Sequence, residues 1–196
     1  MKKSQIAKQQ RNEQLVNTII EATRPLILSE GYDSLTIRDI CANAGITTGM
    51  FYRHFVSKDD VLSFCYMQEM AIVIRECDQE LVGLALPDQI IRLVISIFQI
   101  NKKYGPESVY MFINRNTQST SGSFKMRYLL RDKITELIQT AVDNGYRLHT
   151  ERSPYDIFCD ISTLMKGLTS DWYMVGETDL IEHANELLQR LLPALL

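Results

Sequence analysis

Five residues that can donate hydrogen bonds to phosphate oxygens lie in one short stretch, TIRDICANAGITTGMFYRHFVSK: Thr36, Thr47, Tyr52, His54 and Lys58. Apolar residues at helical spacing are interleaved with them: Ile37, Ile40, Cys41 and Ala44, then Phe51 and Phe55. Donors on one side and apolar groups on the other suit a surface that grips a polyanion while seated on a small core. On a helical wheel Phe51 and Phe55 point inward, whereas Gly49 and Arg53 point outward, flanked by Met50 and Tyr52. An outward arginine can bond guanine O6 and N7 together, worth about 1–3 kcal/mol of discrimination. Gly49 allows close backbone approach. Lys58 opens the next helix, where unsatisfied N–H groups and the dipole favour an anion.

The elements that position these groups are two short helices joined by a tight turn. Thr36 and Asp39 have the spacing of a capping box, and Ala44-Gly45 ends the first helix with a residue that accepts positive φ. The second helix is predicted from Thr47 or Thr48 to near Phe55, and a third begins at Ser57, with Asp60 in an S-x-x-D cap. This is a helix-turn-helix, which presents its second helix to the DNA major groove.

Catalytic chemistry finds little support. The three histidines are preceded three residues earlier by Phe51, Tyr146 and Leu180, so the Glu-x-x-His pairs of a di-iron bundle are absent. No G-x-S-x-G, P-loop or H-E-x-x-H occurs. The cysteines, Cys41, Cys65, Cys77 and Cys159, never pair as CxxC, which argues against zinc or disulfides and for a reducing cytoplasm. No enzyme activity, metal or cofactor is expected. A helical protein-interaction module without DNA binding is the competing class.

The rest of the chain reads as helices, with no strand alternation. Leu15, Ile19, Ala22 and Leu26 predict a helix from about residue 11 to Ser29 that continues through Pro25 and stops near Gly31. The helix from Ser57 is predicted to reach Leu81 and, being apolar nearly all round from Val61 to Ile74, to be buried on every side. Further helices are expected at about 87–103, 107–115, 124–144, from Pro154 to Gly176, and after a Thr178 cap. The polar run Asn116–Ser123 is expected to be a loop. About nine helices make an all-α protein.

Tyr66, Met70, Phe98, Tyr110, Phe112, Met165 and Trp172 are the bulky candidates for lining a ligand pocket in the body, where few charges would be buried, so a small apolar effector is expected. The last helix offers more apolar positions than one face needs. Ile157 and Ile161, with Leu180, Ala184, Leu187, Leu188 and Leu191, therefore form the expected dimer surface, pairing with a second copy as a four-helix bundle.

Charge sharpens the division of labour. Residues 1–12 hold Lys2, Lys3, Lys8 and Arg11 and no acid; the whole chain is at −3, which leaves −7 for the remainder. A basic end on an acidic body fits a protein that meets DNA at one end. No run is long and apolar enough for a membrane span, and the N-terminus lacks the apolar core of a secretory signal. The expected organisation is a basic arm at 1–12, a DNA-binding head at 13–72 with the helix-turn-helix at 36–55 and a connecting helix from 57, and a ligand-binding and dimerisation body at 73–196.

Gly31-Tyr32, T-x-x-D-I at Thr36–Ile40, A-G-I-T-x-G at Ala44–Gly49, F-Y-R-H-F at Phe51–Phe55 and K-x-x-x-L at Lys58–Leu62 together resemble the tetracycline-repressor (TetR) family of bacterial transcription regulators. Met50 and Phe51 depart from the residues most usual at their positions. The resemblance implies a homodimer that binds a palindromic double-stranded DNA operator and a small-molecule effector, most often as a repressor, with an activator as the alternative. It places Thr47, Tyr52, His54 and Lys58 at phosphates or in support of the recognition helix, Thr36 near the backbone, and Thr48, Gly49, Met50 and Arg53 near the bases.

Overall fold

The computed structural model describes the chain except residues 1, 119–122, 150, 177 and 178; side chains are described outside 1–4 and 113–127 as well. Among the described residues all regular structure is helical: α1 (Lys2–Glu30), α2 (Ile37–Ala44), α3 (Thr48–Phe51), α4 (Lys58–Leu81), α5 (Leu86–Tyr104), α6 (Pro106–Gln118), α7 (Ser123–Asp143), α8 (Pro154–Val175) and α9 (Leu180–Leu195). The chain divides into two compact units, Met1–Met67 and Gln68–Leu196, with the boundary inside α4. No helix among the described residues is long and apolar enough to cross a membrane.

In the first unit, α1 starts well before residue 11, so the basic segment is helix and not an irregular arm, and it runs on through Pro25. Its buried residues are Ile19, Ile20, Thr23 and Ile27, while Leu15, Ala22 and Leu26 are half-buried. The buried stripe is thus slightly rotated from the predicted one, and α2 and α4 both meet it. Asn43 of α2 donates to the Ala22 carbonyl at 2.7 Å, and the Cys65 thiol of α4 faces the Ile20 carbonyl at 3.7 Å. Ile19, Leu35, Ile40, Phe51, Phe55 and Leu62 complete the core, each at most 2% exposed. Full burial of such side chains contributes roughly 1.5–3 kcal/mol apiece.

Helix α4 reaches Leu81 as expected, but it is not buried all round. Val61, Leu62, Cys65, Tyr66, Met70, Ile74, Cys77 and Leu81 form one buried stripe, while Phe64 and Ile72 are more than a third exposed. Burial pushes the Tyr66 phenol above its ordinary titration range.

In the second unit, α5 packs against α6, α7 and α9, and α8 against α6, α7 and α9. This arrangement overturns most of the expected dimer surface. Ile157, Ile161, Leu180, Ala184 and Leu188 are at most 2% exposed within the single chain. The α9 positions at 180, 184, 188 and 192 recur every fourth residue, so one face is spent on α5 and α8. Leu187 and Leu191 stay half-exposed on a neighbouring face. Asp179 caps α9, accepting from the Ile181 and Glu182 amides and pairing with Lys102; Thr178 lies outside the described residues. Asn116 to Gln118 belong to α6 and Ser123 to α7, so the predicted loop is helical at both ends, its middle lying outside the described residues.

The expected pocket residues are core residues in large part. Phe98 is fully buried, and Tyr66, Met70, Phe112 and Met165 nearly so. Tyr110 and Trp172 are half-buried, with the Tyr110 ring stacked on Tyr173 at 4.0 Å. A cavity of about 600 Å³ is lined by others, including Leu81, Leu86, Lys133, Leu137 and Tyr146. Bulky side chains at helical spacing fill space between helices, and open space is left where helix ends diverge.

Candidate nucleic-acid interface

The reader is assembled from local caps. Thr36 and Asp39 close the capping box of α2: the Asp39 amide donates to the Thr36 hydroxyl at 3.3 Å, and the Thr36 amide and hydroxyl both donate to the Asp39 carboxylate. These bonds hold the Asp39 carboxyl below its usual range. Gly45, at φ 65°, turns the chain, its amide donating back to Ala42. Thr47 then caps α3 by accepting from the Met50 amide at 3.2 Å.

Helix α3 is a single turn, shorter than predicted. Beyond Phe51 the chain keeps coiling by tighter bonds, from the Arg53 amide to Met50 and from the His54 amide to Phe51, before the Phe55 amide returns to Phe51. The inward residues are those expected. Phe51 and Phe55 are buried, their rings 5.6 Å apart, and Phe64 meets Phe55 edge-on. Tyr52 sets its ring edgewise on Phe51 yet stays 57% exposed, so it packs and presents a polar group at once.

Outward, Thr47, Thr48, Gly49, Tyr52 and Arg53 are exposed, while Met50 and His54 are half-buried. Arg53 makes no ion pair among the described residues. A Cβ on Gly49 would meet nothing closer than the Thr47 hydroxyl at 3.9 Å. The fold therefore does not need glycine there, and what glycine adds is a bare backbone facing outward.

Two expected phosphate contacts have other employment. The Lys58 ammonium points back into the head, donating to the carbonyls of Tyr32 at 3.0 Å and Leu35 at 3.1 Å, with Asp33 at 3.4 Å, and lies 4.3 Å from the Tyr32 ring centroid. Its three donors are spent on the turn between α1 and α2. Asp60 also takes the Val56 amide and Ser57 takes the Asp60 amide, so the α4 start carries a capped amide and two acids where a phosphate was expected. Thr36 likewise has its amide and hydroxyl committed to Asp39.

Sequence reasoning passed over Arg38. It is exposed on α2 with no ion pair among the described residues. The signal was there: a cation in the first turn of a helix opposes the dipole, so its position asks for an external anion.

A capped helix-turn-helix with exposed threonines and an unpaired arginine, on an all-helical chain, defines a DNA-binding transcription regulator. Residues 19–63 match the model for bacterial regulatory proteins of the tetR family. The transposon Tn10 TetC protein of Escherichia coli is 34% identical over 56 residues, which span 29% of this chain and 28% of TetC. The E. coli K12 HTH-type transcriptional regulator UidR is 23% identical over 151 residues, covering 75% of this chain and 71% of UidR. The fold matches that of the transcriptional regulator FadR from Bacillus subtilis, solved with stearoyl-CoA, at TM-score 0.66 and 15% identity, covering 91% of this chain and 98% of FadR. Residues 19–63 thus match the tetR-family model, and the chain as a whole shares the fold of solved TetR-family regulators.

Proposed function

We propose that this chain is a homodimeric repressor that binds a palindromic operator and is released by a small effector with a large apolar part. The observation that carries the reading is the unpaired, exposed Arg53 beside the open backbone of Gly49 and the free hydroxyl hydrogens of Thr47 and Thr48. In this reading Arg53 and Gly49 approach base edges with Thr48 and Met50. Thr47, Tyr52, His54 and Arg38 hold phosphates, and Lys58 and Thr36 keep the head in shape. Pairing of two copies uses the half-exposed α9 face at Leu187 and Leu191 and sets the two readers about one DNA turn, ~34–36 Å, or a multiple apart.

An effector acts by preferring one state of the body, and it weakens DNA binding only by its differential affinity for the two states. Helix α4, one unbroken helix with residues in both units, is the covalent route for that coupling. The apolar class is supported by the apolar side chains the body turns inward and by the stearoyl-CoA bound to B. subtilis FadR.

The test is capture of genomic fragments by the purified protein, then fluorescence anisotropy on the captured site. A palindrome bound with a steep salt slope, and relaxed at one base position per half-site by Arg53→Ala, is the expected result. Sequence-independent binding, or an Arg53→Ala variant with unchanged base preference, overturns the reading. For the effector, lauroyl-CoA is expected to raise the melting temperature and free coenzyme A to leave it; stabilisation only by highly charged metabolites overturns the apolar class.

A further inference from the structure

We infer that the N-terminal turns of α1 are a second DNA contact, a basic helix that runs beside the operator and holds its flanking phosphates. The inference rests on the DNA-binding reading and extends it to residues outside the helix-turn-helix.

The level of the reader along α1 is marked by one bond. Asn43, next to last in α2, donates to the Ala22 carbonyl, so the turn that leads into α3 lies level with Ala22. From there α1 continues toward its N-terminus: at 1.5 Å per residue, Arg11 lies about 16 Å and Lys8 about 21 Å further on. A major groove about 8.5 Å deep is shallower than that. The N-terminal turns of α1 therefore reach beyond the point where α2 meets the helix by more than the depth of one groove.

The side chains change character at the same place. One stripe runs the length of α1, through Gln5, Gln9, Asn12, Val16, Ile20, Thr23 and Ile27, at steps of three and four. Its later part is buried in the head, whereas Gln5, Gln9 and Asn12 are exposed. The stripe thus turns from aliphatic to amide where the protein core stops. Lys8 and Arg11, one turn apart beside it, are exposed and make no ion pair among the described residues. No acid precedes Glu13, so the segment is uniformly positive. Amides and unpaired cations, with no apolar face to bury, match a phosphate backbone and not a protein partner. Helical turns without packing are marginal in water, so such a segment gains order from the partner it grips.

The test compares the native chain with Lys8→Ala/Arg11→Ala on the captured operator carrying native flanks. Alanine suits an exposed helix interior, so the head stays folded. Removing one cation from a phosphate lowers the salt slope by about 0.9, so the double variant, which removes two from each copy of the dimer, is expected to lower it by about 3.6, and the penalty for raising salt from 50 to 200 mM shrinks about 150-fold. Base preference stays as in the native chain. Trimming the flanks from the duplex removes the difference between the two proteins, and Lys8→Arg/Arg11→Lys restores the native slope. An unchanged slope in the double variant, with specific binding intact, overturns the inference alone. Loss of specific binding by the native chain overturns the DNA-binding reading, and this inference with it.

Discussion

Lys58→Met separates a lysine that holds the head together from one that holds DNA. The side chain keeps its apolar stem and loses the ammonium. Two short bonds, to the Tyr32 and Leu35 carbonyls at 3.0 and 3.1 Å, disappear, together with the cation over the Tyr32 ring. Bonds to a charged group contribute about 1.5–3 kcal/mol each, and a cation over an aromatic ring about 0.5–1 kcal/mol where exposed. Lys58 is half-buried, so water replaces part of this, and a net cost of about 2 kcal/mol follows. For a chain of this length that lowers the melting temperature by about 4–8 °C. The assay is thermal melting beside anisotropy at several salt concentrations. The expected result is a lower melting temperature, weaker operator binding and an unchanged salt slope, because every phosphate keeps its cation. A salt slope reduced by about 1.8 at unaltered stability would refute the reasoning, since that is the effect of taking one cation off a phosphate in each copy of the dimer.

Gly49→Ala should leave the fold intact, because the new methyl meets only the Thr47 hydroxyl, and should weaken operator binding by crowding the backbone against the bases; circular dichroism and anisotropy check the two halves. Acid should loosen the head through Asp39. Its folded pKa is lowered, so its contribution is fully present above the ordinary carboxylate value of about 3.9 and is lost as pH falls through the lower folded value. Asp39→Asn should flatten that part of the pH–stability curve, followed by circular dichroism of the melting transition. Leu187→Glu with Leu191→Glu places two charges on the half-exposed face of α9, away from the Leu180–Ala184–Leu188 core face. It should give folded monomers in sedimentation and abolish tight operator binding; folded dimers would place the pairing surface elsewhere.

Features settled within a few residues of one another were legible from residue order. The Thr36–Asp39 box, the Gly45 turn, the Thr47 cap and the inward pair Phe51 and Phe55 all follow from helix periodicity and from bonds that close within one turn. The same locality made the TetR-like motif legible, and residues 19–63 match that family's model. Where long or ambivalent side chains point depended on the folded chain. Lys58 reads as a phosphate ligand beside a helix start, yet its partners are carbonyls more than twenty residues earlier, which only the folded turn between α1 and α2 brings within reach. The last helix has apolar residues on more than one face, and its own residues do not say which face is spent inside the chain. The approach of α5 and α8 assigned Leu180, Ala184 and Leu188 to the core and left Leu187 and Leu191 half-exposed. Periodicity specifies that a face will be buried, and the neighbour that arrives specifies which one.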